Sequence, residues 1–209
     1  SSDVCSSDLH ELQTPLAVCM NKLELLSEHP DCTEDQLKEI AGLHQALNGI
    51  IRLNKSLLLL SRIDNKQFPE TRDICLNHLI HKILEGINDI YERKALHLRV
   101  SEKESLVCTM NESLATTLIT NLIKNAYVHN YEKGDIGITI SRRMLTIANT
   151  GIDKTLDKEL LFARFASQSK QQESTGLGLA IVKSIVDLYS IRIDYQYANG
   201  MHTFTLLFY

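Results

Sequence analysis

From residue 12 onward the apolar positions recur in steps of four and three, at Leu12, Leu16, Cys19, Leu23 and Leu26, the spacing of a heptad seam. Pro30 and Asp31 stop that helix, and Thr33 followed by Gln36 predicts a capping-box start for the next. The second helix repeats the rhythm at Leu37, Ile40, His44, Leu47, Ile51, Asn54 and Leu58, and carries a further apolar line through Leu43, Ile50 and Leu57. Two helices alone cannot bury two apolar lines against each other. A dimeric four-helix bundle buries both, with polar His44 and Asn54 fixing register; packing of the hairpin onto the rest of the chain is the alternative.

The stretch Asp64 to Glu70 is polar and carries Pro69, so it reads as a linker between a hairpin of residues 1–64 and a domain of residues 70–209. Beyond it the periodicity alternates. Helices are predicted over 76–91, 112–129 and 176–189. Leu114, Leu118, Leu122 and Ala126 form one stripe of the second of these. Strands are predicted over 96–100, 106–109, 136–140, 144–148, 191–197 and 201–208, with Asn199-Gly200 as a type I′ turn between the last two. Mixed helices, strands and hairpins give an α+β two-layer sandwich, not a doubly wound sheet.

Composition narrows the classes. The 209 residues are 44% hydrophobic and 23% charged, as in an ordinary globular protein, with a formal net charge of -4. That balance provides no basic footprint for nucleic acid. No apolar run reaches the ~18 residues of a membrane span, so any membrane attachment lies upstream of this chain. Five cysteines, at 5, 19, 32, 75 and 108, include no CxxC pair, which argues against a disulfide framework or a zinc site and fits a reducing, cytoplasmic compartment. Ser1-Ser2-Asp3 repeats as Ser6-Ser7-Asp8, and residues 1–9 read as a truncation edge or non-native scar.

Two constellations carry candidate chemistry. In His10-Glu11-Leu12-Gln13-Thr14-Pro15-Leu16, a carboxylate adjoins an imidazole and can favour the tautomer whose free nitrogen is a nucleophile. Thr14 lies four residues on, on the same helical face, where its hydroxyl can position a water or a phosphoryl oxygen. Pro15 cannot bond the Glu11 carbonyl and should bend the helix beside the histidine, at a cost of ~3 kcal/mol that asks for a reason. A surface histidine beside a chance proline is the bland reading.

The other constellation is spread over the second half. Asn121 and Asn125, at i and i+4, project two amides from one helical face. Amide oxygens are hard ligands suited to Mg²⁺ shared with phosphate. Asn149-Thr150-Gly151 follows a predicted strand, where a polar side chain can meet a base edge and a glycine lets the backbone approach closely. Ser174-Thr175-Gly176-Leu177-Gly178-Leu179 runs into an amphipathic helix whose free N–H groups suit a polyphosphate. It is neither a Walker loop nor a Rossmann fingerprint. Between them, Phe162 and Phe165 can anchor a polar segment, 166–173, that closes over the nucleotide, with Arg164 and Lys170 neutralising phosphate. Each signal alone is weak, and surface asparagines, core phenylalanines and solvated cations are the plain alternatives.

Together, residues 10–209 resemble the sensor histidine kinases of two-component systems. His10 to Leu16 looks like their H box, Asn121 to His129 the N box, Asn149 to Gly151 the first glycine box, Phe162 to Phe165 the F box and Ser174 to Leu179 the second glycine box. The resemblance implies a dimerising hairpin followed by an ATP-binding sandwich of the Bergerat type, shared with Hsp90 and gyrase ATPases. By that resemblance His10 is the phosphoacceptor, Glu11 its general base, and Thr14 serves dephosphorylation of a response-regulator receiver domain. Asn125 binds Mg²⁺ with support from Asn121, Asn149 reads the adenine amino group, and Gly176 and Gly178 let the lid and helix start approach the phosphates of ATP. Three positions depart from the family: Leu9 replaces serine, Asn149 replaces aspartate, and Val128 stands where a basic residue is common. Two rivals stay open: a scaffold that binds nucleotide without phosphorylating itself, and an ATP-driven conformational machine.

Overall fold

The computed structural model describes residues 11–91, 94–165 and 176–209. They divide into two compact units, one of residues 11–67 together with Gly176 and Leu177, the other of residues 68–165 and 178–209.

The first unit is a helical hairpin, α1 (Gln13–Ser27) and α2 (Glu34–Asp64). Pro15 is the third residue of α1, in the first turn, where its missing N–H leaves little of the ladder unmade. Leu12 keeps helical dihedrals, φ -69° and ψ -21°, so the chain turns there without leaving helical space. At the start of α2 the expected capping box is present. The Gln36 N–H donates to the Thr33 hydroxyl at 3.3 Å and the Thr33 N–H to the Gln36 side chain at 2.9 Å. The far end closes with Lys66 at φ 52°, the Gln67 N–H on the Arg62 carbonyl and the Lys66 N–H on the Ile63 carbonyl, both at 2.9 Å. That is a Schellman motif built on lysine instead of glycine.

The hairpin covers one of its apolar lines and leaves the other open. Ile40, His44, Leu47 and Ile51 are half-buried, whereas Leu43 and Ile50 are exposed and no residue of α1 is buried. A groove of about 500 Å³ runs between the helices past Leu23, Ile40, His44 and Asn48. Within it the Asn48 amide meets the His44 ring at 3.0 Å.

The second unit is an α+β two-layer sandwich. In chain order it holds β1 (Arg72–Cys75), α3 (Leu76–Tyr91), β2 (His97–Glu102), β3 (Val107–Met110), α4 (Glu112–Val128), β4 (Asp135–Ser141) and β5 (Met144–Thr150). The short α5 (Lys158–Leu161), α6 (Gly178–Leu188), β6 (Arg192–Ala198) and β7 (Met201–Leu207) complete it. β1 and β3 pair antiparallel, and the main sheet runs β2-β4-β5-β7-β6, parallel only between β2 and β4. Alternation along β4 and β7 sends Ile136, Ile138, Ile140, Phe204 and Leu206 into the core. They meet a helical layer whose stripe Leu114, Leu118, Leu122 and Ala126 is buried as expected. Asn199 and Gly200, at φ 52° and 76°, make the type I′ turn.

Most element bounds differ from the sequence expectation by one or two residues, β1 and α5 are elements it did not include, and two of the shifts fall at candidate site residues. β5 continues to Thr150, because Asn149 pairs with Ile136 on one side and His202 on the other, and Thr150 with Met201. α6 begins at Gly178, not Gly176, since Gly176 sits at φ 67°, outside helical space.

Candidate functional site

α4 carries Asn121 and Asn125, and both of its ends are fixed by side chains. At the N-terminus, Asn111 accepts from the Ser113 and Leu114 N–H groups at 3.0 and 3.3 Å, and its own N–H donates to the Tyr189 hydroxyl. At the C-terminus the Lys94 ammonium donates to the carbonyls of Tyr127, Val128 and Asn130 at 2.8–3.0 Å. A cation on these orphan carbonyls also suits the negative end of the helix dipole.

The two asparagines are both half-buried. The Asn121 amide N–H donates back to the Thr117 carbonyl at 2.8 Å, and its oxygen abuts the start of α6. A Cβ at Gly178 would lie 2.9 Å from that oxygen, so the glycine exists here to let α6 dock on α4. Val128 is buried and apolar.

Asn149 is 2% exposed within β5. Its amide nitrogen donates to the Thr150 carbonyl at 2.8 Å, which fixes the orientation, since the amide oxygen there would face another acceptor. Thr150 is locked in turn. Its hydroxyl donates to the buried Asn130 at 2.6 Å and accepts from the Asp135 N–H at 2.8 Å, while the Asn130 amide donates to the Asp135 carbonyl at 3.0 Å. Gly134 completes this knot, because a Cβ there would lie 2.0 Å from the Asn130 oxygen.

Gly151 meets a demand from the protein itself. A Cβ at this position would meet the His129 carbonyl at 3.0 Å and the His202 ring at 3.1 and 3.3 Å. The close neighbour is therefore protein. Desolvation first, then the Lys94 ammonium and His202, hold the His129 imidazole below its ordinary pKa, although the residue as a whole keeps an open face to solvent.

The two phenylalanines separate. Phe162 meets Phe204 edge to face at 6.5 Å, whereas Phe165 is 59% exposed at φ 64°, so only the first anchors the segment. Arg164 lies at the surface. Leu177 is buried and Leu179 half-buried, so both leucines of the second glycine box are packing residues as much as loop residues. In the hairpin, Glu11 and Thr14 are exposed. Leu9, His10, Lys170 and Thr175, and the segment 166–173, lie outside the described residues.

The structure thus brings Asn121 together with Gly178, and Asn149 and Gly151 with Thr150, Asn130 and His202. Lys94, Asn130 and His202 escaped the sequence reading, and Thr150 entered it only as the middle of a motif. Their partners are 5 to 50 residues away in the chain, and no periodicity marks them. Among the described residues no cluster of three or more His, Cys, Asp or Glu could hold a metal ion. No helix among the described residues is long and apolar enough to cross a membrane.

Comparison with known proteins agrees with this arrangement. A family profile described as "His Kinase A (phospho-acceptor) domain" matches residues 9–66, and one described as "Histidine kinase-, DNA gyrase B-, and HSP90-like ATPase" matches residues 110–208. The chain is 33% identical to the heme sensor protein HssS of Staphylococcus saprophyticus, over 95% of this chain and 44% of that protein. It is 28% identical to the sensor histidine kinase HprS of Escherichia coli, over 94% of this chain and 45% of that protein. The chain spans less than half the length of these curated relatives. Among solved structures, full-length ShkA in complex with AMPPNP superposes with a TM-score of 0.76 at 16% identity, covering 100% of this chain and 47% of that one. The histidine kinase AdeS of Acinetobacter baumannii gives 0.61 at 19%, covering 94% and 95%. At these identities the two structures speak for the fold.

Proposed function

Because the chain belongs to the sensor histidine kinases of two-component systems, we propose that it autophosphorylates His10 from ATP and passes the phosphoryl group to an aspartate of a response-regulator receiver domain. Residues 1–64 form the dimerising phosphotransfer domain and residues 70–209 the nucleotide-binding domain. The whole is the cytoplasmic part of a receptor anchored by a segment upstream.

One observation carries the reading of the pocket: the Thr150 carbonyl occupies the amide nitrogen of Asn149 and leaves its oxygen as the presented group. An acceptor at that place suits the exocyclic amino group of adenine, so asparagine serves where the family has aspartate. Asn125 fits Mg²⁺ as a hard amide ligand, and the ion supplies neutralisation of charge on the phosphate oxygens. Asn121 holds the Gly178 end of α6 against α4, which keeps the helix start where a polyphosphate is met by free N–H groups. Gly176, Leu177 and Leu179 shape the same loop, while Arg164, Lys170 and Thr175 serve the phosphates from the segment around it.

At His10 a ring nitrogen attacks the γ-phosphorus as the bond to the ADP oxygen breaks. Glu11 takes the proton that the ring loses. Holding the reactants in line can supply roughly 7–11 kcal/mol of barrier lowering, which is why the fixed amides of Asn121 and Asn149 matter. Thr14 positions the water that dephosphorylates the regulator.

Substitution Asn125→Ala is expected to reduce autophosphorylation at least a hundredfold while the protein remains dimeric by light scattering. Wild-type rates in that variant would remove the Mg²⁺ assignment.

A further inference from the structure

The orientation of the Asn149 amide is what makes the proposed pocket an adenine pocket. An aspartate can only accept, but an asparagine that turned over would offer its NH₂ group and suit the oxygen of guanine. What prevents that turn is the Thr150 carbonyl at 2.8 Å, so purine choice depends on where the Thr150–Gly151 peptide points.

That peptide is held from the next strand. His202, on β7, is the cross-strand partner of Asn149 and is 5% exposed. Its Nε2 lies 2.8 Å from the Ile152 carbonyl, which only accepts, so Nε2 carries a hydrogen and donates it. Its Nδ1 takes the Tyr195 hydroxyl at 2.8 Å. The same hydroxyl accepts from the Leu156 N–H at 3.2 Å. The ring lies against Gly151, and any larger residue at 151 would collide with it. Two backbone groups of the loop after β5, Ile152 and Leu156, are therefore tied to one buried pair of side chains. The Tyr197 hydroxyl on the Asp153 carboxylate, and Lys158 on Asp194 at 3.0 Å, fasten the same loop from β6.

We propose that His202 is a positioning residue that sets purine preference: by clamping the Ile152 carbonyl it fixes the Thr150–Gly151 peptide and holds the Asn149 amide with its oxygen toward the base. The inference rests on Asn149 reading the base. Tyr195 acts through His202, orienting the ring and closing the far side of the loop. Imidazole suits this place because its two nitrogens point in nearly opposite directions and serve both partners at once. A glutamine can keep the bond to the Ile152 carbonyl, and phenylalanine keeps the ring and neither bond.

The test compares His202→Phe, His202→Gln and Asn149→Ala with wild type in the full chain, reading calorimetric Kd for Mg-ATP and Mg-GTP and the KM and kcat of autophosphorylation. Circular dichroism confirms equal folding. His202→Phe is expected to raise the ATP Kd about tenfold, to leave the GTP Kd unchanged or lowered, and to raise KM while kcat stays within about twofold. His202→Gln should return within about threefold of wild type. A merely structural role would weaken ATP and GTP alike and would lower kcat with binding. That result, or an unchanged ATP-to-GTP ratio in His202→Phe while Asn149→Ala loses it, overturns the role of His202 alone. Should Asn149→Ala itself leave ATP binding and purine preference intact, the base reading fails and takes this inference with it.

Discussion

Leu25 and Leu118 are both leucines on helices, yet 62% of the first is exposed and 0% of the second. The contrast runs through the two units. In the α/β unit the α4 stripe lies under the sheet, Asn111 and Lys94 close the ends of α4, and the Ile191 N–H closes α6 on the Val186 carbonyl. In the hairpin, Leu25, Leu26, Leu43 and Ile50 face outward; α2 is capped at both ends, whereas no side chain caps the start of α1. An uncovered seam is what a helix pair keeps if its remaining apolar surface is completed by another chain. One unit closes its apolar surface with its own sequence, and the other keeps an open apolar line that the proposed dimer would cover.

Truncation measures the difference. Leu118→Ala should cost the α/β unit about 2–5 kcal/mol in urea unfolding, because the site is closed on all sides and leaves a cavity. Leu25→Ala should change unfolding of that unit by no more than about 0.5 kcal/mol. Equal losses from the two would erase the distinction.

The interface itself is the next target. Leu43→Glu with Ile50→Glu should raise the dimer dissociation constant on the order of a hundredfold, equivalent to ~2.7 kcal/mol, in sedimentation equilibrium. The far-ultraviolet spectrum and ATP binding should persist. If the doubly charged variant stays dimeric at low micromolar concentration, the open line is not the interface.

Much of this contrast is legible in the sequence. Steps of four and three located both hairpin helices, Thr33 and Gln36 located the second start, and Asn199-Gly200 located the last turn. The seam's excess over what two helices can bury already called for another surface. What the sequence withheld lies where polar residues do structural work over long separations. Asn149 and Thr150 look like residues beyond a strand, yet Asn149 pairs on both edges, Thr150 pairs with Met201, and together they extend β5. Gly151 looks like a ligand contact and answers a histidine ring from β7. Phe165 looks like a second anchor and is exposed, since a positive φ turns the chain outward there. Lys94 carries no motif at all, but it caps the helix that bears the N-box asparagines.

A smaller effect distinguishes the units by pH. The folded α/β unit holds His129 below its ordinary value of 6.5, through desolvation, Lys94 and His202. As pH falls, the unfolded chain takes up that proton first. Stability is therefore full above about 6.5 and declines as pH drops through the folded value. Between pH 7.5 and 5.5, His129→Gln should lose less unfolding free energy than wild type, with no difference in dimer dissociation. Identical pH slopes in the two proteins would assign the effect elsewhere.

The most direct test is chemical. Purified wild type with Mg²⁺ and γ-labelled ATP should acquire acid-labile, base-stable label that maps to the peptide containing His10, and His10→Gln should acquire none. Label that survives acid, that appears equally in His10→Gln, or steady ATP hydrolysis with no phosphoprotein in the wild type would contradict the account.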